Sequence, residues 1–331
     1  MTYPSLWTRA PRPRFTKTYN VIRSHGVGAV IPANAWTLYK DLDPAQPDWS
    51  YIDERIKALP TGHPIHIHPI LNRGPKETWQ RMTGNLKALV CPVLERYGDR
   101  VERFTICNEL MLHGLDRQKE LIQLFYDLDD DFPNLKLWFG EYGLRSKHRV
   151  QGGDGVLDVI DRVQSVASNF EGVVAIDYID LSQSGTNNYL MGLANQFRIP
   201  GRYIREHAPE TLFEWITAVE SLYKSFAAPQ KLSDNLAAIA QTGAKVALET
   251  SVYTGPNPSH YTEACQKIAY QALLNLAQSV DADFWHWNLC DASCSIAWQK
   301  ERTDEECPGW FDRDGQVKGW ARGFLKQTPQ P

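Results

Sequence analysis

Two short apolar runs in the chain each lead to a glutamate, and these two carboxylates are the side chains most suited to chemistry. Phe104–Cys107 is followed by Asn108 and Glu109, and Val246–Leu248 is followed by Glu249. A protonated carboxyl group can act as a general acid, and an ionised one can act as a base or a nucleophile. A pair that divides these tasks predicts acid–base catalysis combined with nucleophilic attack.

The pattern of apolar residues predicts the elements that would position the two glutamates. Short β-prone runs alternate with amphipathic helical stretches about eight times along the 331 residues, which favours an α/β fold of the (β/α)8 TIM-barrel type over an open doubly wound sheet. The sequence has no GxGxxG motif after the first strand and no GxxxxGK[ST] motif at any position. The usual nucleotide-binding loops are therefore excluded. We predict a single catalytic (β/α)8 barrel domain over residues 1–331.

The order of the predicted strands places the glutamates on opposite sides of that barrel. By this count Glu109 follows strand four and Glu249 follows strand seven, at the strand ends where barrel enzymes hold their catalytic groups. Glycoside hydrolysis needs such a pair, and a retaining enzyme needs the carboxyl groups ~5–5.5 Å apart. The predicted strands are Tyr3–Trp7, Val27–Ile31, His63–Ile70, Val101–Cys107, Leu135–Phe139, Val173–Leu181, Lys245–Leu248 and Ala282–Leu289.

Composition narrows the class of partner. With 35 basic and 39 acidic side chains the formal net charge is −4, which argues against nucleic-acid binding, and no apolar run is long enough to span a membrane. The 11 Trp, 14 Tyr and 12 Phe could stack on sugar rings or fill a core. No secretory signal is recognised at the start, so we expect a cytoplasmic protein as written, or an exported one if a leader precedes it. We expect a monomer without a cofactor.

Metal sites are not favoured by the available patterns. His66 and His68 alternate on a predicted strand and would share a face, but no third ligand has convincing spacing. The run Asp127–Asp131 has the alternate aspartates that open an EF-hand loop, yet Phe132 stands where that loop needs glycine. We interpret this run as a solvated acidic helix end. The six cysteines form no CxxC pair and are expected to be free thiols, several of them buried; one local disulfide among Cys290, Cys294 and Cys307 is the alternative if the protein is exported.

The order of seven motifs resembles that of the family 10 glycoside hydrolases, the endo-β-1,4-xylanases among the retaining TIM-barrel enzymes. The resemblance extends over nearly the whole chain and depends on this order, since no single motif is specific. The motifs are Pro32-Ala33-Asn34-Ala35, Gly62–His68, Asn108-Glu109, Leu137–Tyr142, Leu181–Ser184, Leu248-Glu249, and a closing segment from Phe284-Trp285 through Asp291 and Trp298 to Trp310–Asp312.

The resemblance implies a role for each matched residue and a polysaccharide or oligosaccharide substrate, with xylan or xylo-oligosaccharide first. Glu109 would be the acid/base and Glu249 the nucleophile that forms a glycosyl-enzyme intermediate. Asn108 would donate a hydrogen bond to the sugar 2-hydroxyl, and Gln183 would orient the nucleophile. The other implied substrate contacts are Asn34 and His68 with neighbouring hydroxyls, Trp285 and Trp298 as a wall against the sugar ring, and Tyr142 on the fifth strand.

Several positions depart from the family pattern. Thr37 stands near the place of a lysine that grips the next sugar, and Gly185 stands where a histidine is expected to bond the nucleophile. The acidic residue expected two positions after the nucleophile is Ser251, and Asn187–Ala208 has no clear equivalent. Three alternatives therefore stay open: a same-superfamily β-glycosidase for a different glycan, a non-catalytic carbohydrate-binding barrel, and an unrelated barrel enzyme with coincidental glutamates.

Overall fold

Parallel strands pair in chain order around a closed barrel, and β1 also pairs with β8. The computed structural model describes residues 4–7, 28–72, 82, 84–108, 115–142, 155–180, 230–253, 260–286 and 321, and these ranges contain eight strands. The (β/α)8 barrel expected from the sequence is confirmed. The strands are β1 Pro4–Trp7, β2 Gly28–Ile31, β3 Ile65–Ile67, β4 Arg103–Cys107, β5 Leu137–Tyr142, β6 Phe170–Asp180, β7 Lys245–Tyr253 and β8 Asp283–His286.

Helices lie between the strands, as the alternating sequence pattern requires. Of the helices in the described ranges, none is both long and apolar enough to cross a membrane. Their bounds are α1 Ala35–Leu38, a 3-10 turn Lys40–Leu42, α2 Ser50–Ala58, α3 Leu86–Tyr97, α4 Leu115–Asp131, α5 Val156–Val166, α6 Gln230–Gln241 and α7 His260–Ser279.

Alternation along the strands separates two apolar groups of residues. One group packs between the barrel and its helices, where for example Ile67, Phe139 and Leu248 meet helical leucines and valines. The other group fills the barrel interior and contains Val30, Trp138, Val174, Ile176, Ala247 and Trp285. Two tryptophans inside the barrel occupy the volume that branched aliphatic side chains more often fill in this fold.

Charged side chains close the barrel at the amino ends of the strands. Arg103, the first residue of β4, forms an ion pair with Asp283 of β8, and its guanidinium lies 4.9 Å from the centre of the Trp138 ring. Glu171 accepts hydrogen bonds from Trp138 Nε1 at 2.9 Å and from Lys245 Nζ at 2.7 Å. Burial raises the pKa of Glu171, but these bonds outweigh it and hold the pKa below its ordinary value. The floor is therefore ionic around Trp138.

Gly172 makes room for Trp138 in this floor. It pairs with Trp138 on one side and Lys245 on the other, and a Cβ here would overlap the Lys245 carbonyl oxygen and approach Trp138 Cζ3 to 2.8 Å. One neighbour is backbone and the other is a ring enclosed in the barrel, so neither can move away cheaply. The position requires glycine for steric reasons.

We expect Gly172→Ala to destabilise the fold by about 1–3 kcal/mol, because overpacking forces the backbone or a core ring to shift. Thermal unfolding followed by circular dichroism should show a Tm lower by several degrees. The matched control is Gly155→Ala at the exposed start of α5, where a Cβ meets no atom closer than 3.4 Å. Equal unfolding temperatures for the two variants would contradict this account of the floor.

Candidate active site

Backbone hydrogen bonds continue past the carboxyl ends of β3 and β4 and fix the residues that follow. His68 N donates to Ile31 O at 3.1 Å, so the β2–β3 ladder extends one residue beyond the strand. Leu71 N donates to Ile106 O at 2.7 Å, and Asn108 N donates in return to Leu71 O at 2.9 Å. His68 and Asn108 therefore stand at the barrel mouth on backbone held as rigidly as the strands themselves.

An extra residue in β4 determines which way Asn108 faces. Thr105 pairs with Trp138, but the next residue of β5, Phe139, pairs with Cys107, so Ile106 is the additional residue of a bulge. Cys107 consequently shares the outer apolar group with Phe139. Burial raises the pKa of the Cys107 thiol, and the charge of Glu141 raises it further. The thiol is a packed core group, as expected from the sequence, and Asn108 takes the inward position.

Gly140 allows Asn108 and His68 to meet inside the mouth. A Cβ at Gly140 would overlap Asn108 Oδ1 and lie 3.2 Å from His68 Cε1. Asn108 is 8% exposed and His68 is fully buried, so both side chains press on the bare backbone of β5. Gly140 is a position in this mouth that the sequence did not reveal; its place two residues after Trp138 on the inward face was the available signal.

Glu249 lies across the barrel from these residues and contacts His68. Its Oε2 is 3.1 Å from His68 Nε2, and the two side chains are 1% and 0% exposed. On the neighbouring strands Glu249 pairs with Ile176 and Trp285, both of the interior apolar group, so its carboxylate lies next to apolar side chains. An electrostatic contact in such surroundings is screened far less than one at the surface. The contact joins β3 to β7.

An aromatic layer supports the histidine. The Trp285 ring stacks on His66 with centroids 5.0 Å apart and on Trp138 at 6.3 Å, and the edge of His68 meets it at 5.6 Å. Trp285 is fully buried. The role of Trp285 as a wall against a sugar ring, implied by the resemblance, stays a prediction. Trp285 supports the site from below.

His66 is held neutral within this layer. Burial is the main cause that lowers its pKa well below the ordinary value, and the positive charge of Arg103 acts in the same direction. A neutral ring stacked on Trp285 adds no charge beneath the Glu249 carboxylate. The aromatic layer therefore supports the site without adding charge to it.

Asn34 is a buried amide near the mouth of the barrel. It follows β2, is 2% exposed and precedes α1 without donating or accepting a side-chain capping bond. Among the described residues, its Oδ1 has no hydrogen-bond partner. An acceptor buried in this way carries a desolvation cost that an incoming hydroxyl donor would remove.

The predicted site residues divide into those that the structure brings together and those that lie elsewhere or outside the description. His68, Asn108 and Glu249 meet in the mouth. Asn34 follows β2, which is the strand next to β3. Tyr142 is the last residue of β5, in register with Ile176. Glu109, Gln183 and Trp298 lie outside the described residues.

The two metal patterns of the sequence have other contacts in the structure. Within the described ranges, no group of three His, Cys, Asp or Glu side chains could hold a metal ion. His66 and His68 contact Trp285 instead. Each alternate aspartate near the end of α4 has a protein partner: Asp127 accepts from Gln123, Asp129 from Ser168 and the Asn169 backbone, and Asp131 pairs with Lys87.

We expect the neutrality of His66 to make stability depend on pH. Because its pKa is lower in the folded than in the unfolded state, the unfolded chain binds the proton more readily and stability falls as the pH drops below 6.5. His66→Phe keeps a ring against Trp285 but cannot ionise. Between about pH 7.5 and pH 5.5 the variant should lose about 1.4 kcal/mol less unfolding free energy than the wild type, measured by urea denaturation. Parallel pH profiles for the two proteins would show that His66 is not the group responsible.

Comparisons with known proteins show the same fold at low sequence identity. No family sequence model matches the chain, and no curated protein matches it in sequence. Among solved structures it resembles a GH10 protein from Paenibacillus barcinonensis, with a TM-score of 0.65 and 12% identity over 100% of this chain and 96% of the other. A GH10 xylanase from Bispora sp. MEY-1, solved with xylobiose, gives 0.64 and 11% over 98% and 95%. Xylanase 10B from Thermotoga maritima gives 0.60 and 10% over 98% and 95%. The chain thus has a GH10-like barrel.

Proposed function

We propose that the protein is a retaining β-glycoside hydrolase that acts on β-1,4-linked glycans, with xylan or xylo-oligosaccharides as first candidates. One observation carries the proposal: the Glu249 carboxylate is buried at the mouth of a GH10-like barrel, 3.1 Å from His68, in the same mouth as Asn108. Glu109 directly follows Asn108 in the sequence. A buried carboxylate at a strand end, with a second carboxylate following the opposite strand, fits double displacement.

The reaction would proceed in two steps. Glu249 attacks the anomeric carbon and forms a glycosyl ester while Glu109 donates its proton to the leaving oxygen. Glu109 then removes a proton from water, whose oxygen bonds to the anomeric carbon as the ester bond breaks and its electrons return to the Glu249 carboxylate. Two inversions at one carbon give net retention of the β-configuration.

The amides at the mouth suit a polyhydroxylated substrate. Asn108 can donate to a hydroxyl near the cleaved bond, and the Oδ1 of Asn34 can accept from another. A site that hydrogen-bonds a hydroxyl discriminates strongly against sugars that lack it, because its buried polar groups would be left unpaired. The likeness to solved xylanases, one of them with xylobiose bound, supports xylose-based substrates.

A different glycan is the second candidate, and the contacts of Thr37 favour it. The Thr37 hydroxyl, near the place of the sugar-gripping lysine, donates to the Asn34 carbonyl oxygen at 2.8 Å and so turns back onto its own backbone. The following Lys40 is exposed. The outer sugar would then be held differently from that of the xylanases, while the cleavage chemistry stays the same.

A substrate panel with product stereochemistry tests the proposal. Aryl β-xylosides, β-xylobiosides, other aryl β-glycosides and plant polysaccharides are incubated with the protein, and the first product is followed by proton NMR of its anomeric signal. An initial β-product from xylose-based substrates is the expected result. Retention on another sugar supports the second candidate, and an initial α-product or no hydrolysis of any substrate contradicts the proposal.

Substitution of the two glutamates should separate their roles. Glu249→Ala should lower kcat/KM on the order of 10⁴-fold or more on every substrate, because no ester can form. Glu109→Ala should lose activity on natural glycans but retain the first step with a dinitrophenyl leaving group, which needs no proton. Added azide should give the α-glycosyl azide with Glu249→Ala and the β-azide with Glu109→Ala. The control is Glu54→Ala on α2, and equal losses on all substrates for both glutamates would contradict the assignment.

The close approach of Gly140 to Asn108 should make its substitution costly for activity. Gly140→Ala would push Asn108 from its place and should lower kcat/KM by roughly 10–100-fold, since small misplacements of positioning groups are expensive. The effect should be strongly non-additive: Gly140→Ala combined with Asn108→Ala should be little worse than Asn108→Ala alone. A fully active Gly140→Ala variant, or additive losses, would separate Gly140 from Asn108.

A further inference from the structure

We propose that His68 is a positioning residue that holds the Glu249 carboxylate for attack and stabilises it when the intermediate breaks down; this rests on the proposed function. The resemblance implied that His68 contacts substrate hydroxyls. In the structure, its Nε2 lies 3.1 Å from Glu249 Oε2 and the two side chains are buried.

The Glu249 carboxylate lies in a buried and largely apolar environment. Glu249 is 1% exposed and pairs with Ile176 and Trp285 of the interior apolar group. A buried carboxylate carries a desolvation cost that hydrogen-bond donors beside it offset. The imidazole of His68 meets this need when Nε2 carries the proton, and it donates without being consumed in the reaction.

The imidazole of His68 is held in place by its neighbours. The backbone of His68 bonds to Ile31 of β2, the ring edge rests on Trp285 at 5.6 Å, and Cε1 lies against the bare backbone of Gly140. Trp285 is itself clamped by the rings beneath it. An imidazole fixed from three directions positions its partner carboxylate far better than an exposed side chain would.

A donor at this position would act when the glycosyl-enzyme intermediate breaks down. When the glycosyl-enzyme ester breaks, its electron pair returns to the Glu249 oxygen while water bonds to the anomeric carbon and gives its proton to Glu109. His68 Nε2 lies 3.1 Å from the Glu249 carboxylate on which this negative charge develops, and in this proposal its proton stays on Nε2 throughout. A donor placed in this way stabilises the transition state for breakdown of the ester.

Two substitutions separate this role from substrate binding. His68→Phe keeps a planar ring but removes the donor, and His68→Gln restores an N–H near the position of Nε2. With a 2-fluoro glycoside the glycosyl-enzyme accumulates, and its decay is measured after excess reagent is removed. We expect decay to slow by roughly 10²-fold in His68→Phe and to recover substantially in His68→Gln. The control is His63→Gln, which precedes the same strand and should decay at the wild-type rate.

Unchanged decay in His68→Phe together with a raised KM would overturn the inference and return His68 to a substrate hydroxyl.

A measurement that needs no substrate covers the case in which His68→Phe fails to fold. Long-range ¹H–¹⁵N NMR reads the tautomer of His68 and the resonance of its Nε2 proton. Wild-type protein should show the Nε2–H tautomer with a deshielded proton, and Glu249→Ala should shift or abolish that resonance. An identical His68 spectrum in both proteins overturns the inference. A wild-type protein inactive on every substrate defeats the proposed function instead, even where the NMR coupling is present.

Discussion

The need to fill the inside of a closed barrel governs the rest of this structure. Trp138 and Trp285 are the largest side chains of the interior group, and Arg103 of the ionic floor lies against the Trp138 ring. Their stacking fixes the height of the next layer, on which the His68 edge rests. The geometry of the mouth thus depends on aromatic packing below it, because a shift of the rings would move the partner of Glu249.

Two glycines and one bulge accommodate what this packing demands. Gly172 gives space to Trp138, and Gly140 gives space to Asn108 and His68. Each glycine is on the inward face of its strand, where a larger residue would add volume to a full interior. The extra residue in β4 then turns Asn108 inward without moving Phe104 or Thr105 from their faces. The two glycines are therefore required by the packing of the barrel interior.

The sequence predicted the barrel well because strand and helix periodicities repeat throughout the chain. Strand ends were predicted less well: β7 continues to Tyr253 rather than ending at Leu248, because continuous pairing with β6 extends the ladder. The sequence alone could not distinguish an enclosed Trp285 ring from an accessible one. That distinction depends on contacts with Trp138 and His66, which come from other strands.

The site shows the same division. Asn108, Glu249 and His68 were identified by their places at strand ends, whereas the contact between His68 and Glu249 joins residues 181 positions apart and depends on three-dimensional closure. The resemblance expected a histidine after the sixth strand, where Gly185 stands. In the structure a histidine reaches the same carboxylate from β3.

The bulge in β4 also bears on how such barrels diversify. One inserted residue exchanges the two faces of the strand positions that follow it, so strict alternation from Thr105 would have turned the Cys107 thiol toward the mouth and the Asn108 amide into the wall. The residues themselves need not change for the functional group presented to a ligand to change from sulfur to amide. The number of residues in a strand is therefore a heritable variable in its own right, on which selection or a protein designer can act independently of residue identity.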